Sequence, residues 1–346
     1  MNPITMTLLA LSLTLGTIIT LSSSHWLLAW AGLELNTLAI IPIISKQHHP
    51  RATEAATKYF FTQATASALI VFASTTNAWK TGQWDISQVF LPETSMMITM
   101  TLALKLGLAP FHFWLPEVLQ GSTLPVAMII STWQKLAPSA LLLMTINNLN
   151  QTILLSLGLL SALIGGWMGL NQTQTRKIMA FSSVAHMGWM FSALSVSPNL
   201  SILIVTTYLS LTSATFLALA TTSSKTLNDL GTSWSLSPTL LTITMLSLMS
   251  LGGLPPLTGF LPKWLILKEL ISINLPMIST MLALSTLPSL FFYLRMSHMT
   301  TLTLPPTTTN IKHKWRFKVG QMQIITPTII MATLMLPISP LISNLW

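Results

Sequence analysis

Apolar residues in this chain do not alternate with polar ones; they run in blocks of about twenty, cut by short polar stretches. Eleven blocks stand out, at roughly 3–21, 25–44, 59–79, 95–115, 122–146, 150–170, 175–195, 199–222, 236–263, 275–295 and 323–343. Between them lie SSSH, SKQHHPR, the stretch from WKTGQWD to LPE, the turn at Gly121, NNLNQ, NQTQTRK, SPN, KTLNDLGTS, a turn at Lys268–Asn274 and the polar segment 296–322. These separators are built from residues that favour turns or water. A helix of about 20 apolar residues crosses the hydrocarbon core of a bilayer. Only helices and closed barrels satisfy their own backbone polar groups there, and the period-2 alternation of a barrel is absent. The pattern predicts an all-α polytopic membrane protein of about eleven transmembrane helices.

Composition agrees: 51% of the 346 residues are hydrophobic and 7% charged, against roughly a quarter charged in soluble domains. The stretches 1–33, 136–175, 178–224, 230–262 and 319–346 carry no charge at all. With no charge in its first 33 residues, the chain shows neither a basic signal region nor an Arg-rich transit peptide, and MNPITMTLLALSL reads as a retained first membrane helix. No cysteine is present, which excludes disulfides, Cys-ligated iron–sulfur clusters and thiolate metal sites within the chain. The net charge of +9 is better explained by topology than by nucleic acid. Connections on one side hold Lys46, Arg51, Lys58, Arg176, Lys177, Lys225, Arg295, Lys312, Lys314, Arg316 and Lys318, and those on the other only Lys80 and Lys268. The positive-inside rule then puts the N-terminus on the positive side and Trp346 opposite. The run IKHKWRFK reads as part of that positive loop, with anionic lipid or a partner's acidic face as the other reading.

Four ionisable residues fall inside spans: Glu34, Lys105, Lys135 and Lys263. Each costs roughly 2.5–3.5 kcal/mol at the bilayer centre on insertion scales. Packing salt bridges, with Glu34 paired to one lysine, account for at most two of them. The other reading is a proton relay, in which burial and a movable carboxylate tune each lysine. His186, in FSSVAHMGW, and His112 add titrating groups to the row. His48 and His49 read as surface residues.

GLAPFHFWLPE (107–117) and GLPPLTGFLPK (253–263) match at Gly, Leu, Pro, Leu and Pro, 146 residues apart. Pro110 and Pro116 in the fourth span, and Pro255, Pro256 and Pro262 in the ninth, are expected to break their helices. Such breaks at membrane depth line cavities, and paired breaks mark a transport path. Five spans separate them, so the chain reads as two inverted five-helix repeats, 1–147 and 148–296, with a basic loop and C-terminal helix over 297–346. His186 then lies on the seventh span, the counterpart of the second, which carries Glu34.

HHPRATEAATKYFFTQATAS (48–67), LALKLGLAPFHFWLPEV (102–118), STWQKLAPSALL (131–142) and GGLPPLTGFLPKW (252–264) resemble the NADH dehydrogenase subunit 2 family. These are antiporter-like core membrane subunits of mitochondrial respiratory complex I, and the resemblance covers essentially the whole chain. It implies that Glu34, Lys105, Lys135 and Lys263 match the proton-channel residues and that His112 and His186 lie on the hydrophilic axis linking the half-channels. Related antiporter-like subunits have fourteen helices; the difference is expected at the N-terminus. The implied activity is NADH oxidation by ubiquinone coupled to proton pumping, with this chain's share being translocation. NADH, FMN, iron–sulfur clusters and ubiquinone are expected on other subunits, since no GxGxxG after a strand, Walker loop or cysteine appears. The resemblance further implies neighbouring membrane-arm and antiporter-like subunits, inner-membrane lipid including cardiolipin, a matrix N-terminus and a C-terminus in the intermembrane space. A free-standing cation/proton antiporter, or a structural spacer with paired charges, would draw on similar features.

Overall fold

The structure, a computed structural model, describes residues 3–45, 49–88, 91–233, 238–303 and 325–344. Lys46, His48, the basic run 311–318 and Trp346 lie outside the described residues. Helix is the only regular structure among the described residues. In chain order the helices are α1 (Pro3–Ser22), α2 (Trp26–Ile44), α3 (Pro50–Thr81), α4 (Pro92–Leu106), α5 (Trp114–Gly121), α6 (Leu124–Ser131), α7 (Leu136–Thr145) and α8 (Gln151–Gly169). They continue as α9 (Thr175–Leu194), α10 (Pro198–Thr221), α11 (Leu227–Thr232), α12 (Pro238–Gly252), α13 (Phe260–Ser272), α14 (Pro276–Thr301) and α15 (Ile325–Asn344). Each of the eleven apolar blocks overlaps helix, and six segments among the described residues are long and apolar enough to cross a membrane: α1, α2, Leu124–Asn148, α8, α10 and α14.

The chain forms two compact units, Met1–Gly158 and Leu159–Trp346. In the first, α1 packs closely on α2 through two facing glycines. A Cβ on Gly16 would meet the Gly32 carbonyl at 2.9 Å, and one on Gly32 would meet the Gly16 carbonyl at 2.9 Å. Without a hydrophobic drive between helices in lipid, such small-residue contacts are what hold neighbours together. His25 caps α2, its Nδ1 accepting the Leu27 N–H at 3.2 Å while its ring stacks on Trp84. The Trp26 amide donates to Trp84 O and the Ile86 amide to Ser24 O, which ties the α1–α2 turn to the α3–α4 connection. Helix α3 runs about 48 Å at 1.5 Å per residue, longer than the ~30 Å hydrocarbon core. Its extra turns are the polar start PRATEAATK, where Pro50 opens the helix and Glu54 pairs with Lys58 one turn on.

In the second unit α9 is the central helix, buried along its length except at Arg176, Lys177 and His186. Throughout both units, serine and threonine hydroxyls donate back to carbonyls of their own helix, as Thr17 does to Thr14 and Ser182 to Met179. These bonds let serine and threonine hydroxyls be buried without leaving their donors unsatisfied.

Candidate functional site

Both quoted stretches are broken helices, and the breaks share one construction. The start and end of the helix before the break and the start of the helix after it lie 146 residues later in the second: Pro92 and Pro238, Leu106 and Gly252, Trp114 and Phe260. Helix α4 ends where Gly107 takes φ 73, and α12 where Gly253 takes φ 85. The Leu108 amide donates to Ala103 O and the Gly107 amide to Leu104 O; Leu254 donates to Met249 O and Gly253 to Ser250 O. These paired bonds are Schellman caps, which need a left-handed residue that glycine adopts without strain. The prolines, assigned the break on sequence, play a lesser part. The helices have ended before Pro110 and Pro256, and Pro116 and Pro262 sit in the first turns of α5 and α13, where no intrahelical donor is lost.

A third break separates α6 from α7. Trp133–Lys135 is a single 3-10 turn, and Pro138, in the first turn of α7, has no amide to give the Gln134 carbonyl. Lys135 sits in this turn, 3% exposed. Lys105 lies in the last turn of α4, 6% exposed. The two lysines line one cavity of about 10 Å³ with Asn36, Tyr59, Gln63 and Gln134. Tyr59 donates to Gln134 Oε1 at 3.4 Å, and Gln134 Nε2 donates to the Asn36 carbonyl at 3.4 Å. Glu34, half-buried on α2, is within electrostatic range of Lys105 and Tyr59. The ion pairs among the described residues join Lys58 to Glu54 and Glu117, and Lys80 to Glu93; none joins Glu34 to Lys105. His112 is buried in the α4–α5 break with its ring 4.3 Å from that of Phe113, and it is not among the cavity's lining residues.

In the second unit, Lys263 reaches back from α13 to the carbonyl end of α12. Its Nζ donates to Gly252 O at 3.1 Å and Leu251 O at 3.3 Å. The carbonyl end of a helix carries partial negative charge, so an ammonium is well placed there. His186 Nε2 lies 3.3 Å from the same Leu251 O, and its Nδ1 lies 2.7 Å from Ser182 O. His186 and Lys263 line a cavity of about 20 Å³ with Tyr208, Thr207 and Trp189. Each cavity has room for about one water. A titrating group beside a water, at a helix pole and out of bulk solvent, can take up and release a proton.

The structure thus joins Lys105 with Lys135, and His186 with Lys263, and leaves Glu34 at longer range. Sequence reasoning passed over Asn36, Tyr59, Gln63, Gln134 and Tyr208, which carry no charge and sit among apolar neighbours. It also gave no weight to Gly107 and Gly253, although both stand in the matched stretches.

Residues 23–291 match the family described as NADH:quinone oxidoreductase/Mrp antiporter, transmembrane, and residues 290–343 match the NADH dehydrogenase subunit 2 C-terminus. The chain is 54% identical to NADH-ubiquinone oxidoreductase chain 2 of Oncorhynchus mykiss over 344 residues, covering 99% of each. It is 54% identical to the same-named protein of Gallus gallus, again over 99% of each. Among solved structures it is similar to a chain of respiratory complex I from Thermus thermophilus, with 27% identity and a TM-score of 0.79 over 95% of this chain and 79% of that one. A chain of the Mrp complex from Dietzia sp. DQ12-45-1b has 17% identity and a TM-score of 0.77 over 97% of this chain and 74% of that one, a likeness of fold alone.

Proposed function

Because this chain belongs to the NADH:quinone oxidoreductase/Mrp antiporter family, as an NADH-ubiquinone oxidoreductase chain 2, we propose that its two lysine cavities carry protons through the membrane arm of complex I. The chain is a multi-pass subunit of that proton-translocating enzyme. One observation supports the proton-path reading: each unit sets a lysine at the break that follows a Schellman-capped helix, lining a cavity the size of a water. Lys105, Lys135 and Lys263 hold the proton in turn, His186 shares the Leu251 carbonyl with Lys263, and Glu34 biases Lys105 electrostatically. His112 belongs to the break and has a supporting role. Redox chemistry and its cofactors fall to other subunits.

We read the chain as two five-span repeats and a C-terminal span, crossing the mitochondrial inner membrane eleven times. The connections support this by meeting according to parity. In the first unit, Lys58 of the second connection pairs with Glu117 of the fourth, while Asn148 of the fifth donates to Ser87 of the third. In the second unit, Arg295 of the tenth donates to Leu170 and Gln172 of the sixth, and Thr175 donates to Lys225 of the eighth. With the basic loops in the matrix, the N-terminus is on the matrix side, and membrane-arm subunits and inner-membrane lipid cover the outer faces.

The test is proton translocation per NADH oxidised by reconstituted complex carrying Lys135→Met, alone and with Glu34→Gln. A relay loses pumping in both, because the titrating group at 135 is gone. If Lys135 only neutralises Glu34, removing both partners is tolerated, and recovery in the double variant would overturn the reading.

A further inference from the structure

In the first cavity three polar groups from three helices have no hydrogen-bond partner among the described residues: the Asn36 amide of α2, Gln63 Nε2 of α3 and Lys105 Nζ of α4. All are more than nine-tenths buried, at 2%, 4% and 6% exposure. Three such groups converging by accident would be costly, because each unsatisfied buried group costs about 1–3 kcal/mol. The cavity they line, about 10 Å³, has the volume of one water and offers the two to four polar partners that a buried water needs.

We propose that Asn36 and Gln63 bind one water in this cavity and are positioning residues for proton transfer between Lys105 and Lys135. The water oxygen accepts from Gln63 Nε2–H and Lys105 Nζ–H, and one of its hydrogens donates to Asn36 Oδ1. Its other hydrogen faces the space that Lys135 also lines. A proton leaving the Lys105 ammonium bonds to the water oxygen as the water's own proton passes to the neutral Lys135 amine. One lysine loses a proton, the other gains it, and the water is regenerated. The amides fix the orientation in which this exchange runs without the water turning. An apolar side chain at either position would leave the volume and remove the orientation.

This inference rests on the proton-path reading, and the experiment separates the two. Assembled complex is prepared as native and as Gln63→Leu, Gln63→Asn, Asn36→Leu and Lys105→Met. Water density in the first cavity is read from maps, and proton translocation is measured in H₂O and D₂O. The native complex is expected to show the water. Gln63→Leu and Asn36→Leu are expected to lose it and to slow pumping about tenfold, the equivalent of one hydrogen bond to a charged group, with a raised isotope effect. Gln63→Asn, which keeps an amide, is expected to restore both. A dry native cavity, or native pumping and isotope effect in Gln63→Leu, would overturn the assignment. Loss of pumping in Lys105→Met beside a native Gln63→Leu rejects the amides alone. Native pumping in Lys105→Met rejects the path itself, and native density then still decides the water site.

Discussion

At Gly253 the backbone geometry of the break meets Lys263. Its φ of 85 is a conformation that side-chain-bearing residues reach at about 1–2 kcal/mol, asparagine more readily than most. A Cβ there would stand 3.1 Å from Lys263 Nζ and 3.2 Å from its Cδ. The ammonium must then move by a few tenths of an ångström, away from Gly252 O at 3.1 Å and Leu251 O at 3.3 Å. Bonds already this long leave little slack before they are lost, and a hydrogen bond to a charged group contributes about 1.5–3 kcal/mol. At 1.4 kcal/mol per factor of ten, Gly253→Asn is expected to slow proton translocation roughly ten- to hundredfold. Gly107 supplies the control. It has the same role and a φ of 73, but the nearest neighbours of its added Cβ would be Leu115 Cδ1 and Trp114. Gly107→Asn therefore carries similar backbone strain with only a leucine methyl to displace. The assay is proton translocation per NADH in reconstituted complex at matched assembly. Equal defects in the two variants, or native pumping in Gly253→Asn, would refute the link between the cap and Lys263.

Pro256→Ala is expected to leave the break and the pumping ratio unchanged, because α12 ends at Gly253 before the proline is reached; straightening of the helix in a structure of the variant would contradict this. Thr226→Ala removes a capping box at α11, where Thr226 accepts from the Asp229 amide and Asp229 accepts from the Thr226 and Lys225 amides; it is expected to cost about 1 kcal/mol of local stability, read as faster amide exchange over 226–232. The same cap is pH-sensitive. Burial pushes the Asp229 carboxyl up, but its bonds to Thr226 and Lys225, with the Lys225 charge, outweigh that and hold it below its usual value. Its contribution is therefore full above the ordinary carboxylate range and is lost as pH falls through the lowered value, so exchange over 226–232 is expected to accelerate only in acid.

The spans were legible because hydrocarbon selects for long apolar blocks, and the buried lysines because their cost makes each one conspicuous. The α3 extension was not: PRATEAATK reads as a loop by polarity, and helix forms there because proline, alanine and the Glu54–Lys58 pair suit a solvated first turn. The break at Lys135 was hidden because Pro138 acts on the carbonyl four residues back, Gln134, rather than at its own position. Asn36, Gln63 and Gln134 were invisible for a different reason. They lie on separate elements, 98 residues apart from Asn36 to Gln134 along the contact they make, and amides carry no charge to mark them. Proline was overread: it marks the right region, while the backbone turns at the preceding glycine.

The two breaks agree in backbone register yet exchange their charged positions. Position 251 is leucine where the first unit has Lys105, and position 117 is glutamate where the second has Lys263. In the first unit the ammonium comes from the last turn of the capped helix itself, and Glu117 turns instead to Lys58 at 2.7 Å. In the second it comes from the far arm and reaches back across the break to two carbonyls. What the fold holds constant is a location: the carbonyl pole of a helix ended inside the protein, where partial negative charge is fixed by the backbone and does not depend on any side chain. Lys263 reaches that pole by hydrogen bonds, while Lys105 stands in the last turn of the helix that makes it. On the proposed path, the break would therefore set where a proton is held, and the choice of arm which neighbour receives it, Lys135 in one unit and His186 in the other.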